Sequence, residues 1–408
     1  MVNDKDLLSF DYKKDFPLLA ANDVAYLDNS ATTQKPACVI EAERDFYLKH
    51  NANPLRGLYD LAMQATDIYE DARVAVQKFI NAKSEQEIIF TRNTTESLNL
   101  VAYSYGLANL KPGDEIVTTI MEHHSNMLPW RMVAQQTGAV VKYIECAVDG
   151  SISDEAIDAA VTEKTKIVAM AEVSNVLGRL NPIAKAISAA HKVGAVAVID
   201  AAQSAPHMAI DVQKMGIDVL CFTGHKGLMG PQGTGGLYVR QGVKINPLKV
   251  GGSGIHSFDH DHPKAMPEHL EAGTLNVHGI AGLGGALNYL SEIGTEAIIK
   301  KERSLIKRLE DQIRDLQNIH LYGNPDSSQR VGILSFNMGD EDSAYVADWL
   351  FEEEEIAVRS GAHCAPLMHE TLGTKMQGAV RISVSHKNTE EEIDRTAKAI
   401  KKLSQLLE

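Results

Sequence analysis

From about residue 87 the chain alternates short apolar runs with stretches whose apolar positions recur every three or four residues. EIIF (87–90) precedes an amphipathic stretch over 95–108, and EIVTTI (115–120) precedes a helix that Pro129 opens. AVVKYI (139–144), KIVAMA (166–171), AVAVID (195–200), DVLCF (218–222) and GGLYV (235–239) follow, most with helical patterns between them, such as 182–193. A strand covered on both faces has no polar side, so runs of this kind read as buried strands joined by crossover helices. Seven of them predict an α/β fold built on a mainly parallel seven-stranded sheet with helices on both faces. In such sheets ligands bind beyond the carboxyl ends of the strands, so the chemistry is expected in the residues just after each run.

Past about residue 279 the pattern changes. IAGLGGALNYLSEIG (280–294) and IIKKERSLIKRLEDQI (298–313) read as helices, GILSFNM (332–338) and AVRISVS (379–385) as strands, and 390–407 as a last helix. This predicts a large domain over 25–280 and a smaller α+β domain over 281–408 together with 1–24. No repeats or low-complexity tracts interrupt either.

Composition narrows the function. Of the 408 residues 44% are apolar and 23% charged, an ordinary globular balance, and the net charge of −14 argues against a nucleic-acid partner. No run of 18 apolar residues is present to span a membrane, and the polar, acidic start lacks the apolar core of a signal peptide. The four cysteines, Cys38, Cys146, Cys221 and Cys364, form no CxxC pair, which fits a reducing, cytoplasmic setting. FEEEE (351–355) reads as a solvated helix end.

The polar residues at the strand ends form a constellation. EIIF is followed by Thr94 and Thr95, EIVTTI by Glu122, His123 and His124, and KIVAMAEV by Ser174 and Asn175. AVAVI is followed by Asp200 and Gln203, and VLCF by Thr223, His225 and Lys226. Threonines at a helix start offer hydroxyls and free N–H groups to a phosphate. Asp200 can hold a protonated ring nitrogen, His123 offers a flat face, and a desolvated Lys226 can bind an aldehyde. Singly, each has a plainer reading: a cap, a structural histidine, a surface lysine. Together on one rim they describe a site for pyridoxal 5′-phosphate (PLP).

MEHHSNMLPW, VSNVLG, IDAAQSAPH, the TGHKG and GTGGLYV segments, EAGTLN and VRSGAHCA resemble the fold-type I PLP enzymes called cysteine desulfurases. Length and spacing are most similar to their SufS-like, group II branch within the class-V aminotransferases, and the resemblance runs from YLDNSATTQKP to the last helix. It implies that Lys226 is the Schiff-base lysine, that Asp200 pairs with the pyridine nitrogen, that His123 stacks on the ring and that Gln203 meets the phenolic oxygen. Thr95, Thr94, Thr223 and His225 would bind the phosphate, joined by Thr274 from a second copy in a homodimer. Asn175 and Arg381, with Arg359, would bind the substrate. Cys364 would be the nucleophile that takes sulfur from L-cysteine, leaving L-alanine, and hands it to a SufE- or SufU-like acceptor for iron–sulfur cluster assembly. His363 and Arg359 are the neighbours that could assist its thiolate.

The chain departs from that branch at Leu55-Arg56-Gly57, where HRG is usual, and at Ala362-His363-Cys364, where HHC is usual. A selenocysteine lyase would use the same pocket, and an aminotransferase would need no cysteine at 364. A sulfur carrier that kept the fold without catalysis would not need Lys226, Asp200 and His123 intact. HSFDHDHPKAMPEH (256–269) is rich in His and Asp, but its spacing matches no zinc template, so it reads as a solvated loop and no metal is expected. The glycines over 230–236 follow no phosphate-loop pattern.

Overall fold

The computed structural model describes residues 11–407 except 56, 256 and 257, so Arg56 and His256 lie outside the described residues. A short first strand, β1 (Ala25–Tyr26), pairs far along the chain. The main sheet follows, from β2 (Ile88–Thr91), β3 (Glu115–Thr119), β4 (Val140–Ile144), β5 (Thr165–Ala171), β6 (Val196–Asp200), β7 (Val219–Thr223) and β8 (Gly235–Val239). Its order is β2-β8-β7-β6-β5-β3-β4. All neighbours run parallel except β8, which is antiparallel to both β7 and β2.

Successive side chains take opposite faces, and both faces are apolar. Ile116, Ile167, Val198 and Val219 meet Leu98, Val101, Trp130 and Val133 on one face. Val117, Val168, Ile199 and Leu220 meet Ala186, Ile187 and Leu287 on the other. Helices therefore cover both sides, and the rim at the strand ends is left for polar chemistry.

A second core forms around β9 (Ile319–Tyr322), β10 (Ile333–Met338) and β12 (Val380–Ser383), an antiparallel sheet ordered β12-β10-β9. Leu305 and Leu309 of the helix Thr295–Ile313 and Ile393 and Ile400 of the helix Glu390–Leu406 close it. β11 (Ile356–Ala357) pairs in parallel with β1. The boundary expected at 280 falls inside the helix Val277–Ile293. Leu283, Leu287 and Leu290 of that helix bury in the main core, as do Tyr12, Phe16 and Leu19 near the start of the chain. On packing, we place the division at Gly294 and group 11–24 with the large lobe, because apolar burial joins them there. No helix among the described residues is long and apolar enough to cross a membrane.

One buried ion pair anchors the segment that leads to Thr274. Glu271 accepts from Arg73 Nη1 at 2.9 Å, from the Phe90 N–H at 2.7 Å and from the Tyr69 hydroxyl at 3.1 Å. Arg73→Ala leaves that carboxylate without its counter-charge and is expected to cost about 3–5 kcal/mol in urea unfolding. A loss below about 1 kcal/mol, the range of exposed pairs, would remove the pair from the forces that hold the segment.

Candidate active site

The turn between β7 and β8 carries His225 and Lys226, and a close approach fixes it. A Cβ on Gly227 would lie 2.5 Å from the Ala205 carbonyl oxygen and 2.6 Å from His207 Nε2, so only glycine lets the turn sit against this neighbour. Lys226 is thereby aimed into a cavity of about 230 Å³ at the ends of β5, β6 and β7, together with His123, Asn175, Asp200, Gln203 and Thr223. Burial pulls the Lys226 amine down to about 8, against the opposing pull of Asp200.

Asp200, buried at the end of β6, accepts from the Ala202 N–H at 2.9 Å. Burial raises its pKa, while Lys226 works to keep it charged. His123 is driven down to about 4, first by burial and then by Lys226, so its ring is neutral. Its Nδ1 accepts from the Ser125 N–H at 3.1 Å, which leaves the proton on Nε2.

The other end of the cavity suits an anion. The helix Thr94–Val101 starts there, capped by Asn93, whose side chain accepts from the Glu96 N–H at 2.9 Å. Thr94 Oγ1 and Thr223 Oγ1 are buried with no hydrogen-bond partner among the described residues. Thr95 Oγ1 sits 2.7 Å from Ser125 Oγ. Two unpartnered hydroxyls at a helix start, a buried carboxylate and a partly desolvated amine are what the phosphate, ring nitrogen and aldehyde of PLP require. The residues present fit the group.

A second cavity, about 520 Å³, shares His123, Asn175, Gln203 and Lys226 with the first and adds Arg359, Cys364 and Arg381. Arg381 Nη1 donates to the Asn175 carbonyl at 3.0 Å, and Nη2 approaches Asp28 Oδ1 at 3.4 Å. Burial lowers its pKa only to about 10, so it remains a cation at neutral pH. Arg381 Nε is buried without a partner among the described residues and is free to meet a carboxylate. Arg359, half exposed, faces Asp28 at 3.7 Å.

Cys364 is exposed, Cys221 buried, and Cys38 and Cys146 intermediate. His363 and Cys364 both adopt positive φ, 49° and 56°, a costly conformation for side chains with a Cβ. Two contacts hold them there: Asn175 Nδ2 donates to the His363 carbonyl at 2.7 Å, and the His124 N–H to the Cys364 carbonyl at 2.7 Å. His363 Nε2 donates to the Ala379 carbonyl at 3.0 Å, and burial drives its pKa down to about 2. A neutral His363 cannot supply positive charge to a thiolate. Of the two candidate helpers, Arg359 is the one that carries it, with Arg381 beside it in the same cavity.

The expected residues therefore converge, with one exception. Thr274 is exposed and lines neither cavity of its own chain. Three contributors had escaped sequence reasoning: Ser125, Asp28 and Ser30. Asp28 and Ser30 lie in DNSATT, a segment quoted for its resemblance without a role being given to it. In the histidine-rich loop, His262 and His269 are each paired with a backbone carbonyl through a ring nitrogen, at 3.1 and 2.6 Å.

A buried lysine at the turn after β7, sharing its cavity with a buried carboxylate and an anion cradle, is the arrangement of a PLP enzyme. Residues 25–396 match the family described as Aminotransferase class-V, and the chain belongs to that family. Within it the chain is 44% identical to a probable cysteine desulfurase of Halalkalibacterium halodurans, over 96% of each chain. It is 40% identical to a cysteine desulfurase of Enterobacter sp. strain 638, over 98% of this chain and 100% of that one. Among solved structures, the apo cysteine desulfurase of Thermococcus onnurineus NA1 superposes with a TM-score of 0.92 at 37% identity, covering 99% of both chains. The cysteine desulfurase CsdA of Escherichia coli, in an S-sulfonic acid form, gives 0.89 at 34% identity, covering 100% of this chain and 99% of that one.

Proposed function

We propose that the chain is a PLP-dependent cysteine desulfurase that converts L-cysteine to L-alanine, holds the sulfur as a persulfide on Cys364 and passes it to an acceptor protein for iron–sulfur cluster assembly. The observation that carries this reading is that an exposed thiol, Cys364, and the Lys226 amine line one cavity. PLP, when bound, supplies an electron sink for the bonds of the substrate Cα. Lys226 is the residue that would hold the cofactor's aldehyde, and its amine, lowered by burial, is placed to take and return the proton at the substrate Cα. Arg381 and Asn175 orient the substrate carboxylate, with Arg359 at the cavity mouth. His123 would lie against the ring, and Asp200 would keep the ring nitrogen protonated.

Cys364 Sγ, as thiolate, attacks the substrate sulfur. The new S–S bond forms as the substrate C–S bond breaks, its electron pair goes to the carbon fragment, and protonation of that fragment yields alanine. Arg359 and Arg381 line the same cavity and bring positive charge to the side where Cys364 reacts. Assay of the products decides the class: alanine and sulfide from cysteine support a desulfurase, whereas a keto acid formed without sulfide would make it an aminotransferase.

Thr274 completes the phosphate site from a second copy, and the enzyme works in the cytoplasm with a SufE- or SufU-like acceptor. What supports the homodimer is the exposure of large apolar side chains, with Leu58 at 94%, Val250 at 70% and Phe258 fully exposed. Sedimentation at assay concentration is expected to find two copies, and Thr274→Ala to weaken PLP binding about tenfold. A fully active monomer would overturn both.

A further inference from the structure

We propose that Lys387 is a positioning residue for the cofactor site: its buried amine holds the segment 29–33, which braces Gln203 and His225. Lys387 follows β12 and is 1% exposed. Its Nζ donates to Asn29 Oδ1 at 2.7 Å and to Thr33 Oγ1 at 2.5 Å, and it lies 5.0 Å over the Phe16 ring. Thr33 Oγ1 in turn donates to Asn29 Oδ1 at 3.0 Å, and Asn29 Nδ2 donates to the Ser383 carbonyl at 2.8 Å. One side chain therefore ties the segment to the small lobe.

The other edge of the segment faces the cofactor site. The Thr33 N–H and Thr32 Oγ1 donate to the His225 carbonyl at 3.0 and 3.1 Å. Gln203 Nε2 donates to the Ser30 carbonyl at 3.0 Å. His225 directly precedes Lys226, so a shift of the segment reaches the cofactor-holding amine through one peptide unit. The path from Lys387 to these groups runs through its bonds to Asn29 and Thr33, along the main chain of 29–33, and on through that segment's bonds to His225 and Gln203.

Folding alone does not account for the residue. Among the described residues no carboxylate lies within ion-pair distance of Lys387. The charged groups that act on it from around are Glu302 of the helix Thr295–Ile313, Glu392 of the last helix and Lys35 of the segment's own strand-like exit. Burial, reinforced by Lys35, outweighs the two carboxylates and pulls the amine down to about 7. Taking an amine out of water without a counter-charge costs stability, and an unbranched apolar side chain of similar length would fill the space at less cost. What the amine contributes is the pair of bonds to Asn29 and Thr33.

The inference rests on the reading of Lys226 and its neighbours as the PLP site, and its test separates the two. Full-length wild type, Lys387→Met and Thr33→Val are stripped of cofactor, titrated with PLP by visible absorbance, and melted in the apo state. Wild type that fails to bind PLP sinks the site itself. With wild type binding, Lys387→Met is expected to bind about tenfold more weakly while its apo melting point stays level or rises. Thr33→Val is expected to weaken binding too, and the double variant to bind no worse than Lys387→Met alone. Unchanged PLP affinity in Lys387→Met, or a fall in affinity matched by a fall in the apo melting point, makes Lys387 a structural residue and overturns the proposal. Should Lys387→Met fail to fold, unchanged affinity in Thr33→Val overturns it just as well.

Discussion

Lys226→Ala is expected to abolish cysteine turnover, by about 10⁴-fold or more, and to erase the visible band of a lysine-bound cofactor. The fold should persist, because the side chain projects from a turn on the ligand rim and fills no part of either core. A pH measurement adds a second readout. The amine titrates near 8 in the folded chain against 10.5 as its ordinary value, so between these the unfolded state binds the extra proton. Stability of the apo wild type should therefore gain from this group as pH rises through that window, by about 2 kcal/mol between pH 7 and 10, and the alanine variant should lack that gain. A variant that kept the band and turned over cysteine would dismantle the cofactor assignment.

Cys364→Ala should separate the cofactor from the sulfur chemistry. Alanine has the same Cβ, so the left-handed backbone at this position meets no new strain, and both anchors of the loop are backbone carbonyls that remain in place. The variant is expected to bind PLP and cysteine with unchanged spectra, to form no persulfide, and to lose sulfur transfer to background. Cleavage of selenocysteine could persist in it, since selenium leaves without a protein thiol. Brief exposure of wild type to cysteine should add one sulfur atom to the peptide holding Cys364. Burial raises the pKa of the other three, Cys146 to about 11, and keeps them as thiols at neutral pH. Sulfur found on Cys38, Cys146 or Cys221 instead would refute the mechanism.

The main sheet was legible in the chain because its strands are doubly covered and so appear as unbroken apolar runs. β9, with His320 exposed in the middle of it, and the two-residue strands β1 and β11 offer no such run. The helix Val277–Ile293, in which the expected boundary falls, is apolar almost all round, and its pattern does not say which core it joins. At the site, residues that directly follow a strand were readable from position. Asp28 and Ser30 were not, since the pairing of distant segments is what brings Asp28 to Arg381 and Ser30 to the cavity wall. The neutrality of His363 was equally invisible, because it arises from burial against Ala379 and the Arg381 strand rather than from its sequence neighbours.

The way the Cys364 loop is tethered has a consequence for the carrier state. Asn175 and His124 grip carbonyl oxygens at 363 and 364, and no hydrogen bond of the tether uses the sulfur. Adding a second sulfur to the side chain leaves every one of those bonds intact. Charged and discharged enzyme can thus share one main-chain shape, and an acceptor that approaches this exposed position meets the same platform whether or not cargo is aboard.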